Sequence, residues 1–264
     1  MNCRICKGKT EDFGQATVRG KHRAGYRICP ACGFICVETP SWLAESYESA
    51  ITGTDIGTVS RTETNSQQAK SIIELFFDHR AKFLDYGAGY GMFVRRMRDI
   101  GYDFMAYDSY CENLFSSQFK VESLAGSSFR LITAFEVIEH LENPGDFFAE
   151  VFGHSEALLF TTELVPSPPP PPGSWWYYGL DHGQHISFFT AASLRHVANR
   201  FGKRLYSNGT NLHLMTSGPV NGMLFKLSSN KAFYQGLHLL LHRPSLLGSD
   251  WQSLLNNPPG KSTE

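Results

Sequence analysis

The sequence predicts an α/β fold: a mostly parallel sheet with helices on both faces, preceded by a small cysteine-rich module. Three observations carry that expectation. From Gln67 onward, short apolar runs alternate with segments of helical period, the pattern of βαβ units in a parallel sheet. One of those runs, residues 82–86, stops at Gly87-Ala88-Gly89-Tyr90-Gly91 and opens into a helical pattern. Ahead of the sheet, Cys3, Cys6, Cys29 and Cys32 form two Cys-x-x-Cys pairs separated by 22 residues.

In chain order, residues 1–40 hold the cysteine pairs together with Gly, Lys and Arg, and end at Pro40. Residues 41–66 form a linker, with a short helix at 42–47 and a Thr-, Ser- and Gly-rich middle over 52–66. The main domain is expected over 67–228. It starts with a helix at 67–79 and then the strand at 82–86, whose apolar run suits burial on both faces. A helix follows at 92–100, with Met92, Phe93, Met97 and Ile100 on one side and Arg95, Arg96 and Arg98 largely off it. Strands are expected at 104–107, 131–135 and 157–161, with a helix at 146–152. Residues 166–172 carry six prolines in seven positions, which makes the segment extended and bars it from a central strand. Thr190 is a candidate N-cap for a helix at 190–201 that turns Leu194 and Val197 inward. Two further strands, at 212–216 and 223–227, would close the sheet. Residues 229–264 supply an amphipathic helix at 231–240 and a tail expected to be disordered from about Asn256.

Bulk properties bound the function. The 264 residues leave room for one full α/β domain and a small appendage. A formal net charge of -1 gives no basic field that would advertise nucleic acid. No apolar run approaches the ~20 residues of a membrane span. The opening Met-Asn-Cys-Arg-Ile-Cys-Lys lacks the apolar core of a signal peptide. No membrane partner and a cytoplasmic location are the expectations.

The glycine turn sets a chemical problem. Its glycines let the backbone turn tightly and let a ligand lie against main-chain atoms. Asp85 sits where the turn begins, and Asp108 ends the next strand, 17 residues after Gly91. An acid at that strand end is placed to accept hydrogen bonds from ribose hydroxyls. A dinucleotide fingerprint would require Gly-x-Gly-x-x-Gly, and the residue three after Gly89 is Met92.

Here the chain resembles the class I S-adenosylmethionine-dependent methyltransferases. LDYGAGYG (84–91) is similar to their first motif, AYDSY (106–110) to the second, and LITAFEVIEHLENP (131–144) to the fourth-strand segment of the small-molecule branch. The resemblance spans roughly residues 67–228. It implies a Rossmann-like sheet, with Gly87, Gly89 and Gly91 under the methyl donor and Asp85 near its amino-acid portion. Asp108 would lie on the ribose, and Glu136 would line the cofactor pocket. One departure is Arg130, where the family usually has Asp before the fourth strand, a position that is normally structural.

In a chain without a secretion signal, the two cysteine pairs read as a four-cysteine zinc site, a zinc ribbon, ahead of disulfides or redox-active thiols. Cys36 and Cys111 read as structural. Cysteine module, core and aromatic-histidine segment together resemble the sugar C-methyltransferases of polysaccharide and antibiotic biosynthesis, although the large third domain usual there has no counterpart. That resemblance implies a small, sugar-like or nucleotide-sugar acceptor methylated at O or C. The module is locally basic, with Arg4, Lys7, Lys9, Arg19, Lys21, His22, Arg23 and Arg27. An RNA methyltransferase that uses the zinc module for recognition is therefore an alternative, as is a non-catalytic binding protein on the same fold.

Methyl transfer needs alignment and, for a hydroxyl or carbon nucleophile, a base. His140 follows Glu139 after the fourth strand, at the carboxyl edge of the sheet where ligands bind, and a structural role for this pair is the competing reading. YGLDHGQHISFF (178–189) resembles the family's His-Ile-Ser-Phe-Phe element, a loop over the active site. It adds His185, His182 and Tyr178, with Asp181 beside His182. Trp175, Trp176, Tyr177 and Tyr178 are candidates either for stacking on an acceptor or for covering a cleft.

Overall fold

In the computed structural model, residues 1–47 and 56–256 are described. Along the first half run β1 (Glu11–Val18), β2 (His22–Ile28), β3 (Ile35–Val37), α1 (Leu43–Ser46), α2 (Thr58–Phe76), β4 (Phe83–Tyr86), α3 (Met92–Asp99), β5 (Phe104–Tyr107) and β6 (Leu131–Ala134). The second half has α4 (Pro144–His154), β7 (Ala157–Thr161), β8 (Ser187–Phe188), α5 (Ala191–Arg200), β9 (Arg204–Ser207) and β10 (Leu212–Thr216). It ends with α6 (Gly222–Ser228), α7 (Lys231–Leu240) and α8 (Leu247–Asn256). The α/β class expected from the sequence is the observed one, with a Rossmann-like parallel core. These residues divide into two compact units, 1–47 with 134–222, and 56–133 with 223–256.

The second of these units holds the parallel strands in the order β5-β4-β6. Phe83 and Leu84 of β4 have no exposed surface, as a strand covered on both faces requires. Helix α2 begins at Thr58, nine residues ahead of the expected Gln67. Its first half is polar, and Thr and Ser are modest helix formers. Two of its serines are satisfied inside the helix, Ser66 donating to the Thr62 carbonyl (2.7 Å) and Ser71 to that of Gln67 (3.0 Å). Glu63 is fixed by Arg96 of α3 at 2.8 Å. Residues 48–55 of the expected linker lie outside the described residues.

Arg98 departs from the amphipathic reading of α3, because it is buried along with Phe93, Val94 and Met97. Its Nη2 and Nε donate to Asp250 of α8 at 2.7 and 3.0 Å, and it also pairs with Asp103. One reading of hydropathy patterning is corrected at the C-terminal side. Residues 223–227 form most of helix α6 and not a strand. Phe225 and Ser228 are its buried positions while Met223 is exposed, a spacing of three that a short apolar run does not reveal. Helix α8 extends to Asn256, and the remainder of the expected tail, 257–264, lies outside the described residues.

The other unit carries an antiparallel sheet in the order β1-β2-β3-β8, and a second antiparallel set in the order β7-β10-β9. The two-residue strand β8 comes from the aromatic-histidine segment. It pairs with β3 through Ile35↔Phe188 and Cys36↔Ser187. A core of Tyr26, Val37, Trp42, Tyr178, Ile186 and Phe188 fills the space over this sheet. Thr190 caps α5 as expected, in a capping box with Ser193, and Leu194 and Val197 face inward. Residues 166–172 contribute no helix or strand.

The Arg98–Asp250 pair yields a prediction for stability. Burial would push the Asp250 carboxyl up, but hydrogen bonds and attraction from Arg98, and then from Arg95, hold it below the usual range. Removing one partner leaves the other charge buried and uncompensated. Asp250→Ala is expected to destabilise the protein by about 3–5 kcal/mol in urea unfolding at neutral pH.

Candidate active site

The glycine turn lies between β4 and α3. Gly87, Gly89 and Gly91 all have positive φ, at 71°, 54° and 80°, a region that costs an L-residue about 1–2 kcal/mol. Two of these glycines meet different surroundings. A Cβ on Gly91 would overlap the Asn113 carboxamide and the Ser116 hydroxyl, whereas a Cβ on Gly89 would meet nothing within 4 Å. The cradle above Gly89 is therefore open, as a ligand lying on main-chain atoms needs.

Asp108 closes this turn. Its Oδ2 accepts the Gly89 N–H and its Oδ1 accepts the N–H groups of Tyr110 and Cys111, all at 2.8 Å. Asp85 is buried at the end of β4 and accepts the Thr133 hydroxyl at 2.6 Å. Burial pushes its carboxyl up to about 7; the Thr133 hydrogen bond opposes this and the charge of Asp108 adds to it. All five residues expected around the donor here thus share one loop system of one unit. Glu136 belongs to the other unit. It is exposed, holds φ at 56°, and accepts the Thr161 hydroxyl at 2.7 Å while its own N–H donates to the same oxygen.

That unit gathers the candidate bases. A 3₁₀ turn over Ile138–His140 places His140 edge-on to His185, with ring centroids 4.9 Å apart, and His182 lies 4.8 Å from His185. The Nδ1 of His185 is 2.7 Å from the Tyr177 carbonyl. A carbonyl only accepts, so Nδ1 carries the proton and Nε2 is the basic nitrogen. The Nδ1 of His140 meets the Tyr47 hydroxyl at 3.0 Å. The Nδ1 of His182 accepts the Gln184 N–H at 3.1 Å, and its Nε2 lies 4.0 Å from Asp181. Burial pushes His185 down to about 4, against the Tyr177 carbonyl. Burial, followed by the charges of His185 and His182, holds His140 well below the ordinary range.

The sequence singles out Glu139 beside His140 and Tyr177 among the aromatics, but not the contact between them. Glu139 is completely buried, and burial together with the charges of Glu136 and Glu163 holds its carboxyl far above the usual range. Its Oε1 accepts the Tyr177 phenol at 2.8 Å, while Oε2 has no hydrogen-bond partner among the described residues. Tyr177 is the shared support, giving its hydroxyl to Glu139 and its carbonyl to His185. Tyr178 points elsewhere. It lies in the hydrophobic core against Tyr26 and Phe188, and its hydroxyl donates to the Pro170 carbonyl at 2.7 Å. Among the four neighbouring aromatics only Trp176 is exposed, with Trp175 packed on Tyr177 and Tyr178.

The four cysteines converge as the spacing predicts. Their sulfurs all lie within 4.8 Å of one another, with Cys3 to Cys32 at 3.7 Å and Cys6 to Cys29 at 3.4 Å. Thiolates about 2.3 Å from a tetrahedral zinc would stand about 3.8 Å apart. The set and its spacing fit zinc. Lys7 and Gly33 take positive φ in the two knuckles, and the Ile5 N–H reaches the Cys3 sulfur at 3.4 Å. The Thr190 hydroxyl donates to the Cys32 carbonyl at 2.6 Å, tying the second knuckle to the cap of α5.

A family model described as a methyltransferase domain matches residues 61–208, which include the glycine turn and the histidine cluster but not the four cysteines. No curated protein sequence matches the chain. Among solved structures, the magnesium protoporphyrin IX methyltransferase of Synechocystis PCC 6803 is 13% identical, with a TM-score of 0.42 over 65% of this chain and 88% of that one. A putative methyltransferase in complex with the Haloferax volcanii Trm112 methyltransferase activator is 11% identical, with a TM-score of 0.49 over 69% and 100% of the two chains. Human N-acetylserotonin methyltransferase is 12% identical, with a TM-score of 0.41 over 67% and 66%.

The buried Asp85 generates a prediction about pH. Its folded pKa lies above the unfolded one, so its contribution to stability is complete below the ordinary value of 3.8 and is lost as pH rises through about 7. Asp85→Asn keeps an acceptor for Thr133 and removes that loss. Urea unfolding of the ligand-free variant should show the fall in stability between about pH 4 and pH 8 reduced by about 3–4 kcal/mol.

Proposed function

The chain belongs to the methyltransferase domain family and is an S-adenosylmethionine-dependent methyltransferase; from that premise we propose that its acceptor is a small, sugar-like or nucleotide-sugar molecule methylated at oxygen or carbon. The observation that carries the reading is the tautomer of His185. An oxygen or carbon nucleophile must lose a proton, and His185 is held neutral with Nε2 as the basic nitrogen. The sugar-like class rests on the resemblance of the cysteine module and of residues 185–189 to the sugar C-methyltransferases.

Gly87, Gly89 and Gly91 would hold the donor against their backbone, and Asp108 would accept from its ribose. Asp85 would lie near the amino-acid portion, where a cation would offset the burial of its carboxylate. Glu136 is proposed as a lining residue. When bound, S-adenosylmethionine supplies a methyl group on an activated sulfonium leaving group. His185 takes the acceptor's proton at Nε2, and the Tyr177 carbonyl stabilises the imidazolium that results. His140 and His182 flank that ring and shape its field; Tyr178 is assigned to packing.

Zinc at Cys3, Cys6, Cys29 and Cys32 is proposed as structural. Four thiolates close a tetrahedral site and leave no open position. The basic residues of the module favour a small acceptor over RNA. Arg19, Lys21 and His22 all converge on Glu45, Arg23 is bonded to Gln15, Arg27 to the Thr10 carbonyl and Arg4 to that of Val37. Six of the module's basic side chains are thus turned onto the protein itself.

Two experiments test the assignment. Calorimetry with S-adenosylmethionine should show binding by the wild type and at least a tenfold loss in Gly89→Val, whose side chain enters the open cradle; undiminished binding would remove the glycine turn as the donor site. With a labelled methyl group and a panel of sugar nucleotides, His185→Gln should lower kcat by about 10²-fold or more, and RNA in place of the sugars should give no product. Separately, chelation or Cys29→Ser should release one zinc per chain and unfold the β1–β3 sheet, read by circular dichroism.

A further inference from the structure

We propose that Glu139, His140 and His185 bind a divalent transition-metal cation, separate from the one at the four cysteines. Their ligand atoms lie within 4.8 Å of one another. Ligands about 2.0–2.2 Å from a metal stand about 3–3.5 Å apart, so the set would close by about 1 Å on binding. Each side chain has one polar atom held from outside, and the second carboxylate oxygen of Glu139 has no hydrogen-bond partner among the described residues. The Tyr177 carbonyl holds Nδ1 of His185, the Tyr47 hydroxyl meets Nδ1 of His140, and the Tyr177 phenol holds Oε1 of Glu139. Oxygen partners on the far atom of each ligand are how metal sites orient imidazoles and carboxylates.

Electrostatics favours a cation here. The Oε2 atom of Glu139 is buried with no partner among the described residues, and the charges acting on it from Glu136 and Glu163 are of like sign. A cation would complete that oxygen. Two imidazoles and one carboxylate suit zinc, iron(II), cobalt(II) or manganese(II) over magnesium or calcium, and leave coordination positions open. The role of such a cation rests on the acceptor-side assignment above. With the cation bound, His185 Nε2 would be a ligand and not the base; the cation would lower the pKa of a bound acceptor hydroxyl, whose proton would pass to water.

The test uses the full-length protein loaded with zinc at the cysteines and titrated with cobalt(II) or manganese(II). A second equivalent per chain is expected, absent in His140→Gln/His185→Gln and bound about tenfold more weakly in Tyr177→Phe. Cobalt absorption bands, read on the single variant His185→Gln as well, report the site in folded protein and should vanish there. Only one equivalent in the wild type, or a second equivalent retained in the double variant, overturns the site. Donor binding and methyl transfer are read in the same samples. Donor bound and acceptor methylated without a second metal would sink this inference alone, and a second metal with no methyl transfer would sink the functional reading alone.

Discussion

A hydrogen bond from the Tyr177 phenol to the buried Glu139 carboxyl organises the polar interior of the unit formed by residues 1–47 and 134–222. Both partners are out of water, and the Thr162 hydroxyl joins them 3.2 Å from the same phenol oxygen. Once it forms, the Tyr177 carbonyl is placed to hold His185, and the Ile186 N–H returns to the Glu139 carbonyl at 2.9 Å. The next residues are those of β8, whose pairing with β3 completes the antiparallel sheet. Catalytic candidates and sheet closure in this unit therefore share one support.

How much of this was legible varied with the kind of physics involved. The strand at 83–86 and the turn after it could be read because glycine at positive φ and a fully apolar strand leave direct marks in sequence. Thr190 was legible for the same reason, as caps use few residue types. The cysteine pairs announced their convergence through spacing alone. Residues 223–227 misled because their apolar run fits a strand or a helix equally. Arg98 was assigned to the solvent side because hydropathy records the cost of burying a charge and says nothing of Asp250, 152 positions away. The contact between Glu139 and Tyr177 was hidden in the same way, since a long-range polar contact has no local period.

Two ways of burying charge divide the molecule. Arg98 and Asp250 compensate each other, and their cost is repaid in geometry that fixes α8. Asp85 and Glu139 have no cation beside them, and both carboxyls are pushed upward in consequence. Uncompensated burial of this kind collects at sites of function, where a ligand completes the electrostatics. One of the two lies beside the glycine turn and the other within the histidine cluster.

Strand β3 has a further consequence, for synthesis on the ribosome. Its three residues, Ile35, Cys36 and Val37, are all buried when folded, yet the strand that covers their open edge is about 150 residues further on. At a translation rate of about 5–20 residues per second, that edge waits roughly 10–30 s. An apolar, unpaired edge is a template for wrong pairing during that interval. The short length of β3 limits the template to three residues, and early closure of the two cysteine knuckles, one before β1 and one between β2 and β3, would hold β1–β3 together until Ser187 and Phe188 emerge.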